Sequence, residues 1–279
     1  MIGESENKVN SEIGARDIPP PVIKRCCAAM YDSDIARSLL GESFHPGGAK
    51  LTERLGQLLN LTPRTRVLDV AAGTGMSAIF LATRFGCDVV GIDYSHRNIE
   101  QAEQDAKARG LSGKVSFEWG DAEQLPFPDA SFDAIICECA LCTFPNKQAA
   151  AGEFARVLRP GGQVGLSDLT REGVLSPELD SLLSWVACIA DAQAITAYVA
   201  LLSAANLKVR AAEQHDNVLT EFVNQMRTRL LVAEVMTKLR KLDLPWLDVE
   251  GAKDIAKHAL DAISAGRLGY AIVTASKAA

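Results

Sequence analysis

From residue 66 onward the chain alternates short apolar runs with stretches in which apolar residues recur at helical spacing. This alternation predicts βαβ units, and hence a parallel sheet covered by helices. The pattern predicts strands at 67–71, 88–93, 115–119, 132–137 and 162–168, with helices at 77–84, 97–109 and 147–158. The fold class that follows is α/β, with a doubly wound sheet.

The flanking regions are predicted to be mainly helical. Helices are expected at 23–40, 51–59, 177–192, 195–205 and 218–265, with strands at 207–212 and 269–275. The prolines at 19–21 predict an extended arm, and the segment 41–48, rich in glycine, predicts a loop. We therefore expect an N-terminal arm with helices over 1–60, an α/β core over 61–170, and a mainly helical region over 171–279. The last strands of that region complete a mostly parallel seven-stranded sheet.

Composition narrows the function. The formal charge of -6 and the isoelectric point near 5.3 give no basic field for phosphate backbones, so we expect no nucleic-acid partner. The first 17 residues lack the apolar run of a signal peptide, and no later run reaches the ~20 apolar residues of a membrane span. We expect a cytoplasmic protein that acts on a small molecule, with no membrane partner.

The strand predicted at 67–71 leads through a glycine-containing segment into a helix. Gly73 and Gly75 let the backbone turn sharply and approach a ligand, and the helix N-terminus presents free amides. About 20 residues further on, the next strand ends at Asp93, where an acidic side chain can accept hydrogen bonds from ribose hydroxyls. A nicotinamide enzyme is disfavoured because the third glycine of its usual loop is missing.

Further motifs follow the later strands in order: 120–127 after the third, 129–133 before the fourth and 157–162 before the fifth. At these residues and at the glycine loop, the chain from about 64 to 168 resembles the class I S-adenosylmethionine-dependent methyltransferases. The resemblance implies a Rossmann-like fold, S-adenosylmethionine as cofactor and methyl transfer as reaction. It also implies that the helices within 1–60 form a lid, that 61–170 binds the cofactor, and that 171–279 shapes the acceptor pocket.

The resemblance also assigns the cofactor-binding positions. The methionine part would be held by Asp69 and the backbone of Ala71, Gly73 and Gly75, the ribose by Asp93, and the adenine by Asp121 and Ala122, flanked by Tyr94. Cys137, which ends the fourth predicted strand, is included for its place at this edge, although packing in the core is its alternative. Ala71 departs from the glycine that the family often has there, a change between small residues that should still permit the turn.

Seven cysteines without an export signal favour reduced thiols over a disulfide framework. Cys139 and Cys142 lie just beyond the fourth predicted strand, at the sheet edge where such folds bind ligands, and Cys188 lies on the helix predicted after the fifth strand. Thiolates are soft ligands that select soft metals and metalloids. We expect these three cysteines to be the catalytic residues.

A narrower resemblance, over 164–207, is to the arsenite methyltransferases, in which cysteines hold trivalent arsenic. It carries over to Cys188. The family's further cysteine, in the strand region after Leu207, has no counterpart here, and Cys139 or Cys142 could substitute for it.

Other interpretations stay open. The cysteines can be ordinary core residues in a C- or O-methyltransferase of a quinone, sterol or secondary metabolite, and core packing is favoured for Cys87 and Cys137. A noncatalytic thiol-based sensor is a further alternative. The histidines lack metal-ligand spacing, and no catalytic dyad is evident; His45 and Tyr31 could close over the cofactor or merely pack.

Overall fold

The computed structural model describes residues 19–31, 45–176, 179, 188–189, 191–238 and 249–279. These residues form the strands β1 (Arg66–Val70), β2 (Asp88–Asp93), β3 (Val115–Trp119), β4 (Phe132–Glu138), β5 (Leu158–Arg171), β6 (Leu207–Gln214) and β7 (Leu268–Lys277). They also form the helices α1 (Pro20–Tyr31), α2 (Gly48–Leu58), α3 (Met76–Phe85), α4 (His96–Ala108), α5 (Lys147–Val157), α6 (Ile195–Ala204), α7 (Asp216–Lys238) and α8 (Val249–Ser264). A short 3-10 turn spans Leu141–Thr143.

The described strands make one seven-stranded sheet in the order β3-β2-β1-β4-β5-β7-β6. The first five strands pair in parallel, and β7 pairs antiparallel with both β5 and β6. The chain moves outward from β1 to β3 and then crosses back to β4, which pairs with β1 on its other side. The predicted doubly wound, mostly parallel seven-stranded sheet is thus confirmed.

Apolar side chains project from both faces of the sheet, and on each face they pack against a layer of helices. On one face, Val67 of β1 belongs to a cluster with Leu55 of α2 and Leu81 of α3. On the other face, its neighbour Leu68 belongs to a cluster with Phe154 of α5 and Leu202 of α6. Successive strand residues point to opposite faces, so a run of consecutive apolar residues is what a strand covered on both sides requires.

The helical stretch predicted at 218–265 contains two helices, α7 and α8, which pack against each other and against β7. In the part of the chain that the model describes, no helix combines the length and the hydrophobicity that crossing a membrane would need. The helix predicted at 177–192 lies largely outside the described residues, as does the second half of the one predicted at 23–40.

Two local predictions were wrong. The proline run is not extended, because α1 begins at Pro20. Proline fits the first turn of a helix, where its missing N–H has no intrahelical acceptor. The fifth strand, predicted at 162–168, begins earlier, so most of the motif at 157–162 lies inside β5, which departs from the β4 register there, between Phe132 and Ala134. These residues therefore form an irregularity in a long strand rather than a connection before it.

Phe117 packs against two glycines, Gly75 in the loop after β1 and Gly91 in β2. A Cβ atom on Gly75, whose φ is +77°, would lie 2.4 Å from the Phe117 ring, and one on Gly91 would lie 2.5 Å from it. Gly91 would also bring its Cβ to 2.9 Å from the Cβ of Ala72. The ring fills the space that both glycines leave, so β2, β3 and the loop fit together only without side chains there.

We predict that Gly91→Ala lowers the free energy of unfolding by about 1–3 kcal/mol, because Phe117 has to move within a packed core. Gly152→Ala is the matched control, since its Cβ would meet nothing within 4 Å and it lies inside α5. That change should leave stability unchanged or raise it by up to about 1 kcal/mol. Urea unfolding measures both, and equal effects would contradict the packing argument.

Candidate functional site

A cavity opens at the carboxyl ends of β1, β2 and β4, where the strand order reverses between β1 and β4. Open α/β sheets bind ligands at this position. The predicted site residues in its wall are Asp69, Ala71, Gly73, Asp93, Tyr94, Asp121, Ala122 and Cys139. His45 and Tyr31 also line it. The topology therefore gathers into one cavity residues that span most of the first half of the chain.

The loop after β1 is strained at Ala71. Ala71 has a φ of +59°, and Gly73 and Gly75 have φ values of +55° and +77°. The left-handed region costs a residue with a Cβ roughly 1–2 kcal/mol relative to the usual conformation. The turn forms with alanine, as predicted from the sequence, but at a cost that glycine would avoid. Strain of this kind is common at binding sites.

Asp69 lies near the end of β1 and is almost fully buried, at 2% exposure. Its Oδ2 atom has no hydrogen-bond partner among the described residues. Burial raises the pKa of this carboxyl well above its usual range, and the nearby carboxylates of Glu138 and Asp93 add to the effect. A buried carboxylate without a partner is costly, so Asp69 suits a ligand with a positively charged donor.

Asp93 at the end of β2 has its carboxylate held by the protein. Its Oδ2 accepts the Gly73 amide at 2.8 Å, and its Oδ1 accepts the Ser95 amide at 2.8 Å and Nδ2 of Asn98 at 3.3 Å. These bonds tie the glycine loop to the start of α4. Asp93 also lines the cavity, at the end of the strand where such folds bind a ribose.

Helix α1 contributes Lys24 and Tyr31 to the wall of the cavity. Nζ of Lys24 lies 2.8 Å from Oδ2 of Asp121 and 2.6 Å from Oε2 of Glu123. Tyr94 packs against Trp119 with the ring centroids 5.7 Å apart. The residues predicted to surround the adenine thus lie together, and Lys24 links α1 to them through its ion pairs with Asp121 and Glu123.

A polar network fixes Glu138, the last residue of β4, in the cavity wall. Its Oε2 accepts the Ser77 hydroxyl at 2.7 Å and the Thr52 hydroxyl at 3.0 Å, while its Oε1 accepts the Ser167 hydroxyl at 3.2 Å. Nε2 of His45 lies 3.6 Å from Oε2 of Glu138. Nε2 of His45 thus lies next to the fixed carboxylate of Glu138, an arrangement that suits proton transfer.

The predicted thiols meet beside the cavity. Sγ of Cys139 lies 3.8 Å from Sγ of Cys188, and the hydroxyl of Tyr31 lies 3.5 Å from the same sulfur. Cys142 is buried nearby, and its amide donates to Asp168 at 3.0 Å. Cys139 and Cys188 both have left-handed backbones, with φ values of +52° and +65°. We refer to Cys139, Cys142 and Cys188 as the thiol cluster.

Hydrogen bonding favours one thiolate in this cluster. The Cys139 thiol donates to Cys188 and, with the neighbouring Cys142 thiol, the Tyr31 hydroxyl and the charge of Lys147, holds the pKa of Cys188 well below its usual range despite its burial. The pKa of Cys139 is raised by the bond it donates and by burial, and that of Cys142 by burial and then by the nearby Cys188. Sγ of Cys188 also lies 3.3 Å from the Cys139 carbonyl, a contact that is a hydrogen bond only in the thiol form.

Four predicted residues do not line the cavity. Gly75 caps the N-terminus of α3, and Cys142 and Cys188 lie behind Cys139. Cys137 lies in the core cluster on the opposite face of the sheet and is fully buried, so its position fits the packing alternative. Within the described residues, no group of three or more His, Cys, Asp or Glu side chains is arranged to hold a metal ion.

Glu138 was missed at the sequence level, although a charged residue at the end of an apolar strand is itself a signal of a site. The pairings of His45 with Glu138 and of Lys24 with Asp121 gave no such signal. Each joins residues far apart in sequence, and only the folded chain brings them together.

Comparison with known proteins identifies the family. Residues 67–162 match a family model described as a methyltransferase domain. Methyltransferase GfsG of Streptomyces halstedii is 31% identical over 233 residues, which cover 82% of this chain and 80% of that protein. The chain belongs to the class I S-adenosylmethionine-dependent methyltransferases. Methyl transfer to a small molecule, with S-adenosylmethionine as cofactor, is therefore the activity of its family.

Two other similarities are weaker guides to the reaction. The 27-O-demethylrifamycin SV methyltransferase of Amycolatopsis mediterranei is 36% identical over 152 residues, which cover 50% of this chain and 56% of that protein. The crystal structure of the 4+2 cyclase SpnF superposes with a TM-score of 0.74 and 25% identity, covering 91% of this chain and 96% of the other. That name describes a cyclisation, so the shared fold does not by itself fix the chemistry.

The residues present fit the cofactor. The ammonium group of its methionine part matches the unpartnered Oδ2 of Asp69, and its ribose hydroxyls match Asp93. Its sulfonium is also cationic, and Glu138 adds a further carboxylate to the same wall. A wall rich in carboxylates stabilises a cationic ligand in a partly desolvated cavity.

We predict that Asp69→Asn weakens S-adenosylmethionine binding by about 10- to 100-fold, as expected for the loss of a charged hydrogen bond. A bound cation lowers the raised pKa of Asp69, so binding by the unchanged protein should release protons and strengthen as pH rises toward that pKa. Calorimetry in buffers of different ionisation enthalpy measures both quantities.

The control is Asp129→Asn, which removes an exposed carboxylate paired with Arg156. It should leave affinity and proton release unchanged. Affinity in Asp69→Asn equal to that of the control would contradict the role of Asp69.

Proposed function

We propose that this methyltransferase transfers the methyl group to an acceptor bound against Cys139, and that the acceptor is a thiol-bound metalloid such as trivalent arsenic, supplied as arsenite. The observation that carries the proposal is the thiol cluster, in which Cys139 lines the cavity and its sulfur lies 3.8 Å from the buried sulfur of Cys188. When bound, S-adenosylmethionine supplies an electrophilic methyl group on a sulfonium sulfur.

The chemistry of the cluster supports a soft acceptor. A thiolate is favoured at Cys188, and thiolates bind soft centres in preference to hard ones. Trivalent arsenic bound by thiolates keeps a lone pair, so it can accept a methyl group without first losing a proton. Binding by two or three thiolates requires the sulfurs to close on the arsenic, because the cluster as it stands is not a finished metal site.

Strain at the cluster is a second support. Cys139 and Cys188 both have positive φ values, which are uncommon for residues other than glycine. Such conformations cost on the order of 1–3 kcal/mol each and tend to occur at functional sites. Simple core packing of a small apolar residue would not need them.

An organic acceptor is the second candidate, a C- or O-methylation of a quinone, sterol or secondary metabolite. The name of the rifamycin relative describes methylation of an organic oxygen. An acceptor hydroxyl has to lose its proton, and the pairing of His45 with Glu138 supports that step: the ring nitrogen would take the proton, and the carboxylate would stabilise the imidazolium. Under this candidate the thiols are incidental.

We predict that the reduced protein, given labelled S-adenosylmethionine and glutathione, forms labelled product and S-adenosylhomocysteine only when arsenite is added. Cys188→Ser and Cys139→Ser should each lower this rate by on the order of 100-fold, because a serine hydroxyl is a poor ligand for a soft centre. Cys87→Ser, which changes a buried thiol outside the cluster, is the control. Arsenite-independent methylation of a phenol or quinone, unaffected by the cysteine changes, would contradict the metalloid proposal.

For the organic candidate, we predict that His45→Asn lowers kcat on a phenol by about 100-fold or more, the usual contribution of a general base. The loss should be smaller on a nitrophenol, which ionises without help. His96→Asn, in an exposed histidine stacked on Trp119, is the control. Equal losses on both phenols would argue that His45 acts by binding rather than by proton transfer.

A further inference from the structure

Asn98 lies in the first turn of α4, and its side chain borders the cofactor cavity. Only 1% of the residue is exposed, although asparagine is a residue type found mostly at protein surfaces. Capping of the helix does not explain this side chain, because Oγ of Ser95 already accepts the Asn98 amide at 3.2 Å. The carboxamide of Asn98 therefore has to be explained by what its own two polar atoms contact.

One polar atom of the carboxamide is bound by the protein. Nδ2 of Asn98 donates to Oδ1 of Asp93 at 3.3 Å. This bond sets the orientation of the carboxamide, because the opposite orientation would turn the amide oxygen toward the Asp93 carboxylate and leave two acceptors facing each other. Oδ1 of Asn98 is therefore the atom that is left for another partner.

That amide oxygen is an orphaned acceptor. It is buried and has no hydrogen-bond partner among the described residues. Buried polar atoms in native proteins are nearly always paired, and an unpaired one is costly. Four described residues have such a buried, unpartnered side-chain atom, and two of them, Asp69 and Asn98, border the cavity. Their concentration there indicates a wall that is completed by the donor groups of a ligand.

The position of Asn98 identifies the donor group. Its carboxamide contacts Asp93, where the ribose of S-adenosylmethionine is predicted to bind. A ribose has two hydroxyl groups on adjacent carbons, and each of them can donate one hydrogen bond. The carboxylate of Asp93 already accepts the amides of Gly73 and Ser95. A further acceptor beside this carboxylate therefore suits the second hydroxyl.

We propose that Asn98 is a specificity-determining residue for the cofactor, whose Oδ1 accepts a hydrogen bond from one ribose hydroxyl while Asp93 accepts one from the other. Recognition of the ribose then depends on both hydroxyls, each read by a different side chain. This role concerns the cofactor rather than the acceptor. It is therefore the same for a metalloid and for an organic acceptor, and the arsenite assay does not bear on it.

The test is calorimetric binding of S-adenosylhomocysteine and of its 2′-deoxy and 3′-deoxy analogues to the full chain. The unchanged protein should bind each analogue about fivefold or more weakly than S-adenosylhomocysteine, because each analogue leaves one acceptor without its donor. In Asn98→Ala, affinity for S-adenosylhomocysteine should fall by a similar factor. One of the two analogues should then bind as well as S-adenosylhomocysteine, while the other keeps its disadvantage.

Ser95→Ala is the matched structural control. It removes the hydroxyl that caps α4 in the same turn and leaves the carboxamide of Asn98 in place. Affinities for the three ligands should change by one common factor, if they change at all. An analogue that lost its disadvantage in Ser95→Ala as well would show that a loosened helix end is sufficient, and this would overturn the proposal.

The pattern of losses in Asn98→Ala separates direct contact from structural support. A disadvantage that disappears for one analogue alone supports a contact with one hydroxyl. Disadvantages that both persist, or that both shrink by the same factor, overturn it, because the side chain would then act only in packing or only by holding Asp93.

If Asn98→Ala does not fold, a crystal structure of the unchanged protein with S-adenosylhomocysteine decides. The proposal requires Oδ1 of Asn98 to lie within hydrogen-bond distance of a ribose hydroxyl. An Oδ1 bonded only to water or to protein would overturn it.

Discussion

The crossover between β1 and β4 is the constraint on which the site depends. The strands on both sides of β1 are parallel to it, so their carboxyl ends lie at the same edge of the sheet. The helices that follow these strands diverge at that edge, and a cavity opens there. Asp69, Asp93 and Glu138 each lie at or next to the end of a strand. Their closeness therefore follows from the topology, and it would disappear with any other order of these strands.

The site is held in a state that costs the protein stability. Asp69 is buried with an unpartnered oxygen, and its two carboxylate neighbours repel it. Ala71, Cys139 and Cys188 adopt left-handed backbones. A cationic cofactor would relieve the repulsion between the buried carboxylates. The left-handed backbones at Cys139 and Cys188 would serve the binding of an acceptor by thiolates. These costs are concentrated at one edge, while the two core layers that cover the sheet are regular and apolar.

The parts of the fold that periodicity encodes were predictable from the sequence. The core strands and the glycine loop were found because apolar runs and turn residues are local signals. Strand alternation also indicates that Cys137 shares a face with Ile135 and lies away from the cavity, as the core clusters show. The pairings of His45 with Glu138 and of Lys24 with Asp121 were not predictable, because each joins residues from elements that are far apart in the sequence. The identity of the acceptor was not predictable, because the region expected to form its pocket, 171–279, contains no motif.

We expect the cavity at the β1/β4 crossover to hold the cofactor with its sulfur directed at Cys139. A crystal structure of the protein with S-adenosylhomocysteine tests this directly. The amino group of the ligand should lie at Oδ2 of Asp69, its ribose hydroxyls at Asp93 and its thioether sulfur facing Cys139. A ligand bound elsewhere, or one with its sulfur turned away from Cys139, would contradict it.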